Sequence, residues 1–360
     1  MYYARVYSDS NTPHFVTCEL HGIPDAVYLT DSQYQYLDSV FTASRLKRVV
    51  PLRQAILGYR GELQNSFKDF FNNAGSRQYS EYDLESIRKE LLERINNFKR
   101  YHNNYGSYLS WSNDNRRIVY IDSNTLQDAD ALLQQVDDAI NKLRAESAIP
   151  LTKLLSQGFS SIIRDRQQLS TYLSVLETGQ APDLPIDQLI SVRNYFASIL
   201  SEYNTNKVEN NFYAQWEYDF NQRAQRKTYV ITLGSEAELS QIVENITGAI
   251  NVILFNNVLS TFEFMVKKGK AESIVKDKKF GNYFTYDDQN PEWKTQALAA
   301  LQPFCKLTGY DILNLTETSV TCRLMVKQGK QQRTYEVELL HTNGRLNLES
   351  FDISKAKLIE

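Results

Sequence analysis

The chain has 360 residues, 42% hydrophobic and 23% charged, which is enough apolar side chain to bury a core and excludes wholesale disorder. Its 40 basic and 43 acidic residues give a formal net charge of -3, so no global field draws nucleic acid or an anionic membrane, and any such binding must come from a local patch. Three cysteines, Cys18, Cys305 and Cys322, make no disulfide framework and point to a reducing compartment.

The N-terminus carries no apolar stretch typical of a secretory signal, and a cytoplasmic protein is expected. Residues 1–30 read as a β-hairpin region, with strands at Tyr3–Ser8 and Phe15–His21 around turn-forming residues and a short strand at Ala26–Thr30. Residues 31–226 read as a helical bundle. Pro51 divides its first stretch, because proline inside a helix removes a hydrogen bond and clashes with the preceding turn. A helix opens at Ser80 with Asp83 as a capping box, buries Leu84, Ile87, Leu91, Ile95 and Phe98, and puts the pairs Glu85–Lys89 and Glu90–Arg94 on its solvated side. A strand is predicted at Arg117–Ile121. Near Thr125 a helix starts whose apolar positions, Leu126, Ala129, Leu133, Val136, Ile140 and Leu143, alternate three and four apart like a coiled-coil seam. Further helices are predicted over Leu151–Leu176 and Ile186–Gln225, the latter interrupted near Asn204–Asn206.

Residues 227–360 read as an α+β domain, with the boundary between Arg226 and Ser235. A strand at Thr228–Leu233 precedes a helix from Ser235. Ile246–Val266 is nearly long enough to span a bilayer, but Asn251, Asn256, Asn257 and Glu263 interrupt it, so a buried core helix is expected and no membrane partner. Met265–Lys270 and Met325–Lys330 match closely, which leaves a hairpin over Thr261–Lys276 as an alternative to a helix end. Strands follow at Val320–Lys327, Thr334–His341 and Arg345–Ile353, the last two joined by Asn343–Gly344, a strong two-residue hairpin turn. The fold class expected is therefore α+β and helix-rich, with an N-terminal β-hairpin, a central helical bundle and a C-terminal domain built on a curved antiparallel sheet.

No catalytic constellation stands out, and no cofactor or metal is expected. His14, Cys18 and His21 on one strand cannot all face one zinc. Gly158-Phe159-Ser160-Ser161 lacks the second glycine of a nucleophile elbow, and Gly269–Lys270 and Gly329–Lys330 lack the rest of a Walker loop. Glu336, Glu338 and Asp352 read as a solvated hairpin face rather than a magnesium site, and Asp287–Asp288 as a turn. Phe212, Trp216 and Phe220 fall on one helical face, which with Tyr213 nearby reads either as core or as a set of anchors for a partner, and 23 tyrosines suit half-buried interfaces. Two basic patches exist: Arg45, Lys47, Arg48 and Arg53 around Pro51, and Lys267, Lys268, Lys270, Lys276, Lys278 and Lys279, followed by Phe280, Tyr283, Phe284 and Tyr286. The second pairs cations with rings, as single-strand binders do.

In the C-terminal third, a helix around Ser235–Leu259, the segment Pro291–Phe304 and strands Thr321–Lys327, Tyr335–His341 and Arg345–Asp352 follow in an order that resembles an NTF2-like domain. The ending from Tyr335 through Asn343–Gly344 to Leu346 resembles its terminal hairpin. That resemblance implies a curved sheet ending in long strands, and a function that ranges from adaptor to ligand pocket to enzyme. The leading expectation is a non-catalytic interaction or assembly protein that binds a protein partner or a second copy of itself. The alternatives are nucleic-acid binding through Lys267–Tyr286, and a ligand pocket or enzyme in the C-terminal domain.

Overall fold

The structure, a computed structural model, describes residues 2–9, 12–17, 27–29, 31–59, 63–72, 78–105, 107–112, 117–221 and 225–359. Its class is α+β, with an N-terminal strand sheet, central helices and a C-terminal antiparallel-rich sheet. The backbone divides into two compact units, residues 1–146 and 147–360.

In the first unit, β1 (Tyr2–Asp9) pairs antiparallel with β2 (Thr12–Thr17) and with β3 (Val27–Leu29), as the alternation in the sequence predicts. Helices α1 (Asp31–Leu46), α2 (Leu52–Leu57) and α3 (Gln64–Asn72) follow, and Pro51 is the N-cap of α2, where its missing N–H costs nothing. Helix α4 (Glu81–Tyr101) opens on the expected capping box: the Asp83 N–H donates to Ser80 Oγ at 3.2 Å, and the Ser80 N–H donates to Asp83 Oδ2 at 3.0 Å. All five predicted stripe residues are buried. Strands β4 (His102–Tyr105), β5 (Tyr108–Ser112) and β6 (Ile118–Asp122) form an antiparallel sheet in that order, and α5 (Asp128–Ser147) closes the unit. Its buried stripe is Ala129, Leu132, Val136 and Ile140. Leu126, one position of the predicted seam, precedes the helix and is exposed.

One pair departs from expectation. Arg94 is 3% exposed rather than solvated. Its guanidinium pairs with Glu90, donates to the Ile56 carbonyl at 2.9 Å, and lies 4.1 Å from the Phe67 ring centroid. Glu90 also accepts the Leu63 N–H at 3.2 Å. The i,i+4 spacing is legible in the sequence. Its burial follows from α2 and α3 packing over that side of α4. Glu85 instead pairs with Arg144 of α5.

In the second unit, α6 (Leu151–Ile162) and α7 (Arg166–Thr178) replace the single helix predicted over Leu151–Leu176, because Asp165 caps α7 by accepting the Gln168 N–H at 2.7 Å. Helix α8 (Ile186–Asn206) ends where the sequence suggests a break. Beyond it the chain is extended, not helical: β7 (Lys207–Glu209), β8 (Ala214–Tyr218) and β9 (Lys227–Ile231) form an antiparallel meander.

Helix α9 (Ser235–Lys268) is the spine of this unit. Leu239, Ile242, Ile246, Ile250 and Leu254 pack into a core with α6, α7, α8 and β8, and Val258, Phe262 and Met265 pack into a second core under the C-terminal sheet. The predicted boundary between Arg226 and Ser235 thus lies inside a compact unit, and residues 31–226 fall across the division between the two. One continuous buried stripe on α9 joins what composition separates. Gly269, with φ 68°, ends α9 in the left-handed conformation, and α10 (Ala271–Val275) follows, so Thr261–Lys276 is no hairpin.

Next come α11 (Phe280–Tyr283), β10 (Phe284–Thr285), α12 (Trp293–Leu301), β11 (Leu307–Leu315), β12 (Ser319–Gln328), β13 (Gln331–Thr342), β14 (Arg345–Asn347) and β15 (Lys357–Leu358). The sheet order is β10-β14-β13-β12-β11, with β10 parallel to β14 and β15 on β13. The last predicted strand is short, because a 3-10 turn at Leu348–Ser350 ends it.

The Asn343–Gly344 turn has φ 55° and 82° at its two central residues, as a type I′ hairpin requires. Asn257 Nδ2 of α9 donates to its Asn343 carbonyl at 2.9 Å, and Asn343 Nδ2 donates to Asp187 of α8 at 2.7 Å. Beneath it His341 is buried, with Nε2 3.0 Å from the Thr316 carbonyl and Nδ1 accepting the Gly344 N–H at 3.3 Å. Burial lowers its pKa from 6.5 despite the carbonyl contacts. Above pH about 6.5 the ring is neutral in folded and unfolded chain alike. As pH falls below that value the unfolded state takes the proton first, so stability drops until the folded ring also titrates. The urea midpoint is expected to decline from pH 7.5 to 5.5 more steeply in the wild type than in His341→Asn. Equal slopes would mean that His341 does not set this dependence.

Candidate interaction surface

The outer side of α9 is the most unusual surface of the second unit. Helix α9 is long and apolar enough to cross a membrane by length and composition, yet its inner stripe is core. Its outer side is apolar too. Val252 is 60% exposed, Phe255 42% and Val266 40%, with Gly248 and Leu259 half-buried or exposed along the same line. These positions share one narrow stripe about 27 Å long. No charged residue occurs between Glu244 and Glu263. A hydrophobic period alone finds the inner stripe. The outer one shows only as the run that makes Ile246–Val266 look like a membrane span.

The aromatic residues predicted as partner anchors lie elsewhere. Phe212, Tyr213, Trp216 and Phe220 do not share a helical face, because Ala214–Tyr218 is a strand. Trp216 is fully buried, stacked on Tyr218 at 4.4 Å between ring centroids and set edge-on to Tyr203 at 5.5 Å. Phe220 is buried against Tyr218 and Tyr229, and Tyr213 is buried as well. Phe212 alone is exposed. Four-residue spacing is even as well as near-helical, so it also keeps residues on one side of a strand. The core of this unit claims that side. Tyr195 is half-buried against the rings of Phe159, Tyr172 and Phe196, and burial pushes its hydroxyl up to about 12.

The lysines of the second basic patch surround the C-terminal end of α9. Lys267, Lys270, Lys276, Lys278 and Lys279 lie at or near the surface, while Lys268 pairs with Asp277 and lies over the Phe264 ring. The rings that would have stacked on bases are otherwise engaged. Phe284 and Phe280 are buried in the core, Tyr283 lies flat on Phe264 at 4.3 Å, and Tyr286 packs on Trp293 at 4.4 Å. This corrects the pairing of cations with free rings, because α11 and β10 turn these side chains inward to cover α9. In the first unit, Arg45 donates to the Tyr108 hydroxyl at 3.2 Å and Arg53 to the Phe71 carbonyl at 3.2 Å, leaving Lys47 and Arg48 exposed.

An open cleft of ≈ 480 Å3 lies between α12 and the turn after β14. Tyr286 and Trp293 line it with Asp287, Gln296, Glu349 and Asp352, and its walls hold no histidine, cysteine, serine or lysine. Two of its carboxylates serve local turns: Asp287 accepts the Gln289 N–H at 3.1 Å, and Asp352 accepts from Ser354, whose hydroxyl and N–H hold that carboxyl below its usual range. Glu336 pairs with Arg323 across the sheet, and Glu338 faces out from β13. Among the described residues no group of three or more His, Cys, Asp or Glu side chains is placed to hold a metal ion. Cys18 and His21 lie outside the described residues, and His14 sits in β2 opposite Tyr7. Burial raises the Cys322 thiol to about 12 and the Cys305 thiol to about 11, which disfavours the thiolate at neutral pH. Gly158 and Phe159 are buried within α6, not presented on a turn.

The chain matches no family model, no curated protein and no solved structure.

Proposed function

We propose that this chain is a non-catalytic interaction protein that assembles through the outer face of α9. The observation that carries this reading is the uncharged apolar stripe Gly248, Val252, Phe255, Leu259 and Val266 on a helix whose opposite side is already core. An apolar strip of this kind left in water is unfavourable, and a protein partner that covers it gains its burial. The stripe is narrow. Helices that lie on lipid bury a wider apolar face and carry lysine along its flanks, whereas asparagines Asn251 and Asn256 flank this one. For the C-terminal sheet we retain an NTF2-like arrangement in an adaptor role, supported by the helix-first order and the long antiparallel strands β11, β12 and β13 ending in the Asn343–Gly344 hairpin.

The test is affinity purification from the source cells with wild type and Phe255→Asp, followed by cross-linking from Lys267 and Lys270. Phe255 is exposed, so the variant is expected to fold and to lose its cross-linked partners at least tenfold. An unchanged partner set would overturn the reading.

A further inference from the structure

Resting on that reading, we infer that the occupant of the α9 stripe is the α9 of a second copy, packed antiparallel about a two-fold axis between Ile253 and Leu254. Spacing gives the first indication. Exposed or half-buried residues Gln241, Gly248, Val252, Phe255, Leu259 and Val266 follow at intervals of seven, four, three, four and seven, a central run of coiled-coil spacing whose outer intervals pass over Asn245, bonded to the Gly179 carbonyl, and the core residue Phe262. The series reads the same in both directions. Reversed about one point, Gln241 meets Val266, Gly248 meets Leu259 and Val252 meets Phe255. A two-fold interface requires this property, since the same patch must serve both sides.

Shape agrees with spacing. A Cβ built on Gly248 would meet nothing within 4 Å, so its position on the helix is an open notch, and the reversed pairing seats Leu259 of the second copy over it. A parallel pair would set notch against notch and Phe255 against Phe255. Charge points the same way. Glu236 pairs with Lys207 and Lys268 with Asp277 within the chain, which leaves Glu238 in the first turn of α9, Lys267 in its last turn and Lys270 just beyond to face a second copy. Antiparallel packing brings the acidic end of each copy beside the lysine end of the other, while a parallel pair stacks like on like. Between Glu244 and Glu263 the seam is uncharged, so self-association there meets no repulsion. The one like-charge approach, Glu244 to Glu263, flanks the seam one helical turn from Lys267.

The full chain is measured by light scattering after size exclusion, alongside Phe255→Asp and Gly248→Lys. The second variant adds helix propensity at an open position and blocks the Leu259 seat, so a loss of pairing there is not a loss of folding. Wild type is expected at twice the 41.7 kDa chain mass and both variants at the single mass. In a mixture of Val252→Cys and Phe255→Cys proteins, mass spectrometry is expected to find the 252–255 disulfide between copies at least tenfold above 252–252 or 255–255. Same-position links in excess would overturn the antiparallel arrangement. A wild-type monomer, free or carried on anionic vesicles, would overturn self-pairing while leaving α9 available to a different protein. A dimer that both variants preserve would overturn self-pairing and the α9 reading together.

Discussion

Phe220→Ala is expected to destabilise the second unit by about 3–5 kcal/mol, the usual cost of emptying a buried phenylalanine site. The ring sits among Tyr218 at 4.6 Å, Tyr229 at 5.8 Å and helix α6, and it is nearly inaccessible to solvent. What admits it is Gly158, since a Cβ built there would overlap the Phe220 ring. Gly158→Ala alone should therefore also destabilise, by roughly 1–3 kcal/mol from overpacking, against the small gain in helix propensity that alanine brings. The combination decides between a specific fit and general fragility. With the ring gone, the methyl group introduced by Gly158→Ala occupies part of the vacated space, so the double variant should lose less than the two single losses added together. Urea unfolding followed by tryptophan fluorescence, with Trp216 stacked on Tyr218 beside the site, measures all four corners of the cycle. Simple additivity would mean that Gly158 and Phe220 do not share this space.

Arg94→Ala should cost about 3–5 kcal/mol in the first unit, for an electrostatic reason. The guanidinium is enclosed by α2, α3 and its own helix. Its removal takes the shorter of two donors from the Ile56 carbonyl, which keeps the Tyr59 N–H at 3.4 Å, and leaves the largely buried Glu90 carboxylate without its cation. It also empties the space under Phe67 and Tyr59, whose rings hold the cation at 4.1 and 5.2 Å. Removing both charges is a different experiment. Glu90→Gln with Arg94→Met keeps volume, lets the glutamine carbonyl accept the Leu63 N–H, and is expected to cost no more than about half as much as Arg94→Ala. Fluorescence of Trp111, buried in the same core and stacked on Tyr59 at 5.9 Å, follows the transition. If Arg94→Ala proved as stable as wild type, the buried pair would be packing material and no more.

Legibility along the chain follows how local each determinant is. The start of α4 is readable because a capping box needs only Ser80, Asp83 and the backbone between them. The β13–β14 turn is readable because positive φ at two successive positions selects Asn-Gly. The break between α6 and α7 depends on Asp165, an equally local cap, but continuous apolar periodicity on both sides masks it. The stretch after Asn206 misleads because its aromatic spacing satisfies both a helix and one side of a strand, and pairing with β7 and β9 decides between them. The candidate surface is half legible: Ile246–Val266 stands out as too apolar, with no sign that one side would remain uncovered.

By itself the sequence determined the α+β class, the positions of most helices, and many of the caps and turns that end them. Those depend on composition and on neighbours within a few positions. Where periodicity leaves the inner face open, unlike on α4, tertiary structure alone decided which apolar residues face inward, so Trp216 and Phe284 became core and Val252 and Phe255 became surface. It also turned Arg94 from a solvated helix charge into a buried one, and joined residues 147–226 to the C-terminal sheet through α9. Burial belongs to what packs over a residue, and that neighbour is set by chain segments far away in sequence.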